Sequence, residues 1–138
     1  MWSSLTLQLG MVVLDVDDVD RSIAFYRLLG LDVPDPFPGR PVALHTMDSG
    51  VSIVLVRGFA AGLDPDWVRP ESYQQALEFS VGSDAEVDEM WTRLTSAGYH
   101  GRLAPTTRTG PYAALVDDPD GNAVLISSDP AANPAANA

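Results

Sequence analysis

The side chains able to do chemistry are few and mostly acidic: two histidines, His45 and His100, and 19 carboxylates against 8 basic residues, all of them arginine. There is no cysteine, which removes disulfides, thiolate metal sites and a thiol nucleophile. There is no lysine either, which removes Schiff-base chemistry. No glycine-rich phosphate loop is present, and no Ser, His and Asp stand at a spacing that identifies a triad. The densest acids, Asp17-Asp18 and Asp117-Asp118-Asp120, look like metal donors, but turn and capping chemistry accounts for them. Asp accepts from the backbone amides that follow it, and Pro119 with Gly121 supplies the turn dihedrals. His45, in the strand-like run VALHTM, is a candidate base or hydrogen-bonding group toward a ligand. His100 follows a helix and is expected in solvent.

The elements that must position these groups are marked by local signals. MVVLDV (residues 11–16) is a β-branched run, and DRSIAFYRLLG after it carries Val19, Ile23, Tyr26 and Phe25, Leu29 at helical spacings. Asp18 is placed to cap that helix and Gly30 to end it. LDVPDPFPGRP is a proline-rich connection, and VALHTMDSGVSIVLV reads as two strands joined at Asp48-Ser49-Gly50. The same order returns in the second half. ALEFSV (residues 76–81) is a strand, Ser83 with Glu86 is a capping box, and Val87, Met90, Trp91 and Leu94 form a helical stripe ended by Gly98. YHGRLAPTTRTG reads as a polar connection, and YAALVD with NAVLIS as a strand pair around DDPDG. Each half is thus strand, helix, then two or three strands, an internal repeat of order and spacing.

Between the halves, RGFAAGLDPDWVRPESYQQ has no sustained periodicity and reads as a connector. Its Trp67 and Tyr73 either clamp the connector onto one half or wall a ligand cavity. The length of 138 residues suits one compact unit over residues 1–128, with halves at 9–57 and 76–128 and the connector at 58–75. The Ala- and Pro-rich residues 129–138 are expected to be a disordered tail. The net charge of −11 leaves no basic stripe to release phosphate counterions, so nucleic acid is not an expected partner. No window approaches the roughly 18 apolar residues of a membrane span. MWSSLTLQLG lacks the basic residues and cleavage site of an export signal, which makes the cytoplasm the expected location.

Val16-Asp17-Asp18 followed by RSIAFYRLLGLDV, the AGY that ends the second helix, and DDPDGN before the last strand, spread over residues 9–128, resemble the vicinal oxygen chelate superfamily. That superfamily includes glyoxalase, extradiol dioxygenases and the bleomycin-resistance proteins. The resemblance implies an α+β fold of two βαβββ modules whose mixed sheets form a cleft with helices on the outer face. It also implies a homodimer, and a divalent metal held by up to four positions, a residue early in the first strand of each module and one in the last strand of each. Carried over residue by residue, those positions are Met11, Ala76, Val54 and Leu125. None offers the imidazole or carboxylate that Zn, Mg, Mn or Fe requires in such a site, so no metal and no other cofactor is expected.

Strand alternation then places Met11, Val13, Asp15, Ala76, Glu78 and Ser80 toward the cleft, and Val12, Leu14, Val16, Leu77, Phe79 and Val81 under the helices. The expected activity is small-molecule binding without a metal, in the manner of antibiotic-sequestering resistance proteins, with an aromatic or cationic ligand. The binding set is Met11, Val13, His45, Val54, Trp67, Glu78, Ser80, Tyr112 and Leu125, with no catalytic residue. The runner-up is a lyase, isomerase or dioxygenase in the same cleft, with Glu78 or His45 as general base or with metal ligands in another register. A third reading is an interaction module that works through its acidic surface.

Overall fold

A computed structural model describes residues 7–73, 75–108 and 110–129. Residues 130–138 of the expected disordered tail, and residues 1–6 of the stretch read for export, lie outside the described residues. The first half contains β1 (Met11–Asp15), α1 (Val19–Leu29), β2 (Val42–Thr46) and β3 (Ser52–Val56). A short helix, α2 (Phe59–Leu63), follows in the connector. The second half contains β4 (Ala76–Val81), α3 (Asp84–Ser96), β5 (Gly101–Thr106), β6 (Ala113–Asp117) and β7 (Ala123–Ser128). The strands make two sheets, ordered β1-β3-β2 and β4-β7-β6-β5. In each, the first strand runs parallel to the last and the last two form an antiparallel hairpin. The fold is α+β, with helices packed on two mixed sheets.

Local chemistry sets the helix ends. The Asp18 carboxylate accepts from Arg21 N at 3.2 Å, and Gly30 closes α1 at φ +114°, a conformation that a side chain would strain. Ser83 Oγ accepts from Glu86 N, while the Glu86 carboxylate reaches one residue further back than in a regular capping box, to Gly82 N at 2.8 Å. One apolar cluster then joins the halves: Leu14, Val16, Phe25, Tyr26 and Leu55 pack in it with Val87, Leu94, Val116, Val124 and Ile126. Phe25 makes edge-to-face contacts with Tyr26 and, across the seam, with Tyr99 at 4.8 Å. Burying each such side chain stabilises the fold by about 2–3 kcal/mol.

Two stretches differ from the sequence reading. The polar connection after α3 contains a strand, β5. It is an edge strand with one-sided pairing, and its register against β6 shifts between Leu103 and Thr106, where Pro105 has no N–H to give. Bulge and proline together erase the alternation that would have announced it. The connector likewise holds α2, five residues with none buried, too short to show a period.

Candidate functional site

The side of each sheet away from the helices is the open one. By register, Met11 and Val13 of β1 share it with Val54 of β3, and Ala76, Glu78 and Ser80 of β4 share it with Leu125 and Ser127 of β7. Burial follows this alternation at the edge strands, while Val54 and Ser127 on the open side are themselves buried. Leu14, Val124 and Ile126 on the helix side are at most 3% exposed, whereas Met11 is 50% exposed and Glu78 is also exposed. Val13 stands beside Val54 and Glu78 beside Leu125, so β1 and β4 each meet the last strand of their own half at the position in question.

These residues do not fit a divalent metal. Met11, Val54, Ala76 and Leu125 bring a thioether and three hydrocarbon groups, and hard or borderline cations take oxygen and imidazole donors. Among the described residues no group of three His, Cys, Asp or Glu side chains is arranged to hold an ion. The three carboxylates of the open face, Asp15, Glu78 and Asp117, are already engaged, Asp117 by Arg102. Glu78 Oε1 accepts from the buried Ser127 Oγ at 3.2 Å. Asp15 accepts from Ala60 N at 2.6 Å and from Arg69 at 3.2 Å.

The nine expected binding residues do not converge on one cavity of the single chain. Val13 and Trp67 line a cavity of about 340 Å³ under the connector. Glu78 and Ser80 line another, of about 510 Å³, beside the C-terminal end of α1. Met11, Val54 and Leu125 line neither and remain part of the open sheet faces. His45 is not brought to that face: it pairs with Ile53, whose other partner is Val12, so it lies on the helix side, with Nδ1 3.1 Å from Asp32 O. Tyr112 is also on the helix side, in phase with Ala114 and Val116, and its hydroxyl donates to Asp88 of α3 at 2.6 Å. That bond to Asp88 holds the phenol above its ordinary pKa. His100 is exposed, as expected.

Arg69 is the connector residue that the sequence reading missed. Its guanidinium donates to the Asp15 carbonyl at 3.0 Å and to the carboxylates of Asp15 and Asp17 at 3.2 Å, lies 3.9 Å from Asp120, and stacks on Trp67. One base thus faces three acids from β1, the loop after it and the β6–β7 turn. A second arginine, Arg102, pairs with both oxygens of Asp117 and stacks on Tyr73. Trp67 and Tyr73 are therefore held, each by an arginine whose own charge is met by aspartates. The only local signal was the spacing of Trp67 and Arg69, two apart in an extended stretch.

The DDPDGN turn is structural, with a role beyond the turn itself. Asp118, 4% exposed, accepts from the amides of Asp120 and Asn122, from the Asn122 side chain, and from the Tyr26 hydroxyl of α1 at 2.6 Å. Burial pushes the Asp118 carboxyl above its ordinary pKa, opposed by these hydrogen bonds. Burial first, then the Asp118 charge, raises the Tyr26 phenol well above its ordinary value. Asp120 completes the joint by accepting from Asp17 N and Ser22 Oγ.

Comparison with known proteins adds to this geometry. The family model for the Glyoxalase/Bleomycin resistance protein/Dioxygenase superfamily matches residues 8–126. A glyoxalase-related enzyme from Fulvimarina pelagi superposes with a TM-score of 0.75 at 22% identity, over 91% of this chain and 90% of that one. A family enzyme from Burkholderia phytofirmans PsJN gives 0.74 at 21%, over 87% and 97%. The lactoylglutathione lyase of Agrobacterium tumefaciens gives 0.64 at 23%, over 90% and 95%. At these identities the likeness establishes the fold. No curated protein matches.

Proposed function

The chain belongs to the Glyoxalase/Bleomycin resistance protein/Dioxygenase superfamily, and within it we propose a metal-independent binding protein of the bleomycin-resistance type that sequesters an aromatic or cationic small molecule. The observation that carries this reading is the set Met11, Val54, Ala76 and Leu125. Where the family resemblance calls for metal donors, this chain has apolar wall. Sequestration requires shape, apolar area and a few orienting hydrogen bonds, which such walls with the exposed Glu78 carboxylate can supply. A second copy of the chain completes the cleft in this proposal. The support for it is that Met11 is half exposed on the open face, and that the two cavities described above, among the described residues, take in none of Met11, Val54 and Leu125.

The second reading is a lyase or isomerase in the same cleft. It is favoured by Glu78, an exposed carboxylate steadied on one oxygen by the buried Ser127 hydroxyl, which is the arrangement of a positioned base. A thermal-shift screen of planar cationic compounds and small metabolites tests the first reading. A ligand at about 100 times its Kd stabilises the native state by about 2.7 kcal/mol. Stabilisation without turnover supports sequestration, no stabilisation across the library sinks it, and turnover lost in Glu78→Gln moves the assignment to the enzyme.

A further inference from the structure

We propose a second ligand site at the seam between the two halves, sharing Glu78 and Ser80 of the β4 edge with the open sheet face, for an amphipathic cation: an apolar group carrying a positively charged nitrogen. The site is the cavity of about 510 Å³ bounded by the C-terminal end of α1, the β2–β3 turn, the β4 strand and α3. That volume lies within the range of small-molecule pockets, roughly 300–1,000 Å³. Its lining mixes polar and apolar groups, with Phe79, Met47 and Met90 offering the accessible apolar surface over the buried Leu29 and Ile126. Both methionines are only partly buried against the core. Unbranched thioethers adapt to the shape of what they touch, so this wall accepts hydrocarbon or an aromatic ring without demanding one outline.

The charge of the lining is of one sign. Asp48 and Glu78 contribute carboxylates, and no arginine or histidine lines the cavity among the described residues. Bases on the flanking elements are used elsewhere: Arg27 binds Val33 O and Asp35, Arg93 reaches Leu28 O and Glu89, and His45 meets Asp32 O. Asp48 and Glu78 form no ion pair among the described residues, and Glu78 spends one oxygen on Ser127. Leu29, Gly30 and Leu31, at the C-terminal end of α1, form one wall. A helix C-terminus carries partial negative charge and adds to the same potential. An apolar floor under an uncompensated negative rim selects a hydrophobic cation over a neutral molecule of the same shape, and rejects an anion.

The site shares Glu78 with the sequestration reading but not Met11, Val54 or Leu125, which line the open faces alone. Three probes with one phenylpropyl group, the trimethylammonium, the alcohol and the carboxylate, are titrated into the full chain by calorimetry. The expected order is cation tightest and carboxylate without binding. Asp48→Asn and Glu78→Gln each weaken the cation about threefold, and raised salt weakens it in the same way. Ser49→Trp, which fills the cavity from its turn, abolishes binding, and Met90→Trp does the same from α3 should the first variant not fold. Met11→Trp, on the open face of the other sheet and outside this cavity, leaves it unchanged. An alcohol that binds as tightly as the cation overturns the proposal, as do carboxylate variants that bind normally. Cation binding lost in Met11→Trp and kept in Ser49→Trp also overturns it, and leaves sequestration on the open face standing.

Discussion

The two halves run the same elements in the same order and part at the strand that follows the helix. In the second half that strand is β5; in the first, residues 31–41 join no sheet. Pro34, Pro36, Pro38 and Pro41 explain the difference, since each lacks the N–H that a ladder needs. The segment is held instead by Arg27, which binds Val33 O at 2.8 Å and Asp35 at 2.9 Å. The hairpin turns differ as well. Asp48-Ser49-Gly50 is exposed, whereas Asp118 in the matching turn is buried and bound to α1 of the other half. One architecture therefore uses one turn as a cavity rim and the other as the joint that fixes the halves together.

The largest test of that contrast is to cut the joint. Asp118→Ala leaves the Tyr26 hydroxyl and the Asn122 donors without their acceptor and is expected to lower stability by about 3 kcal/mol in urea unfolding. Asp48→Ala in the matching turn should cost less than about 0.5 kcal/mol. Equal costs would break the comparison. Next is β5, which exists where Trp91 lies against a residue without a side chain: a Cβ on Gly101 would sit 2.2 Å from the Trp91 ring. Gly101→Ala is expected to cost about 2 kcal/mol, with Trp91→Phe recovering part of it in the double variant. Additive losses would show that the contact is not the cause.

Arg69 is a smaller joint. Its side chain is about a third exposed (32%), so solvent screens its pairs, and Arg69→Ala should cost about 1 kcal/mol and reduce the dependence of stability on salt. The smallest effect is a slope. Tyr26 keeps its proton in the folded chain to a higher pH than its ordinary 10.0. Above that pH the native state holds a proton that the unfolded chain has lost, so the stability present below it declines as pH rises toward the folded value. Tyr26→Phe should flatten that alkaline decline, and an unchanged slope would place its origin elsewhere.

What was legible in the sequence was local or periodic. Asp18, Gly30 and Ser83 act within one turn of chain, and the alternation of Leu14 and Val16 against Met11 and Val13 needs only the strand period. The sequence reading set His45 and Tyr112 toward a ligand, whereas the strand phases place both on the helix side. Each placement follows from the phase of a strand whose partner had to be known, Ile53 for His45 and the Ala114–Val116 side for Tyr112. The Arg69 contacts join residues more than 50 positions apart, and no spacing in the chain announces them. The candidate walls were therefore visible in the sequence, while the grouping of residues into cavities was not.

The central claim is that Met11, Val54, Ala76 and Leu125 make wall where the family resemblance calls for metal donors. Its most direct test is the metal content of protein purified from medium supplemented with zinc and manganese, measured by mass spectrometry against protein concentration. The account predicts far less than one ion per chain after dialysis, and a stoichiometric, tightly held divalent ion would contradict it.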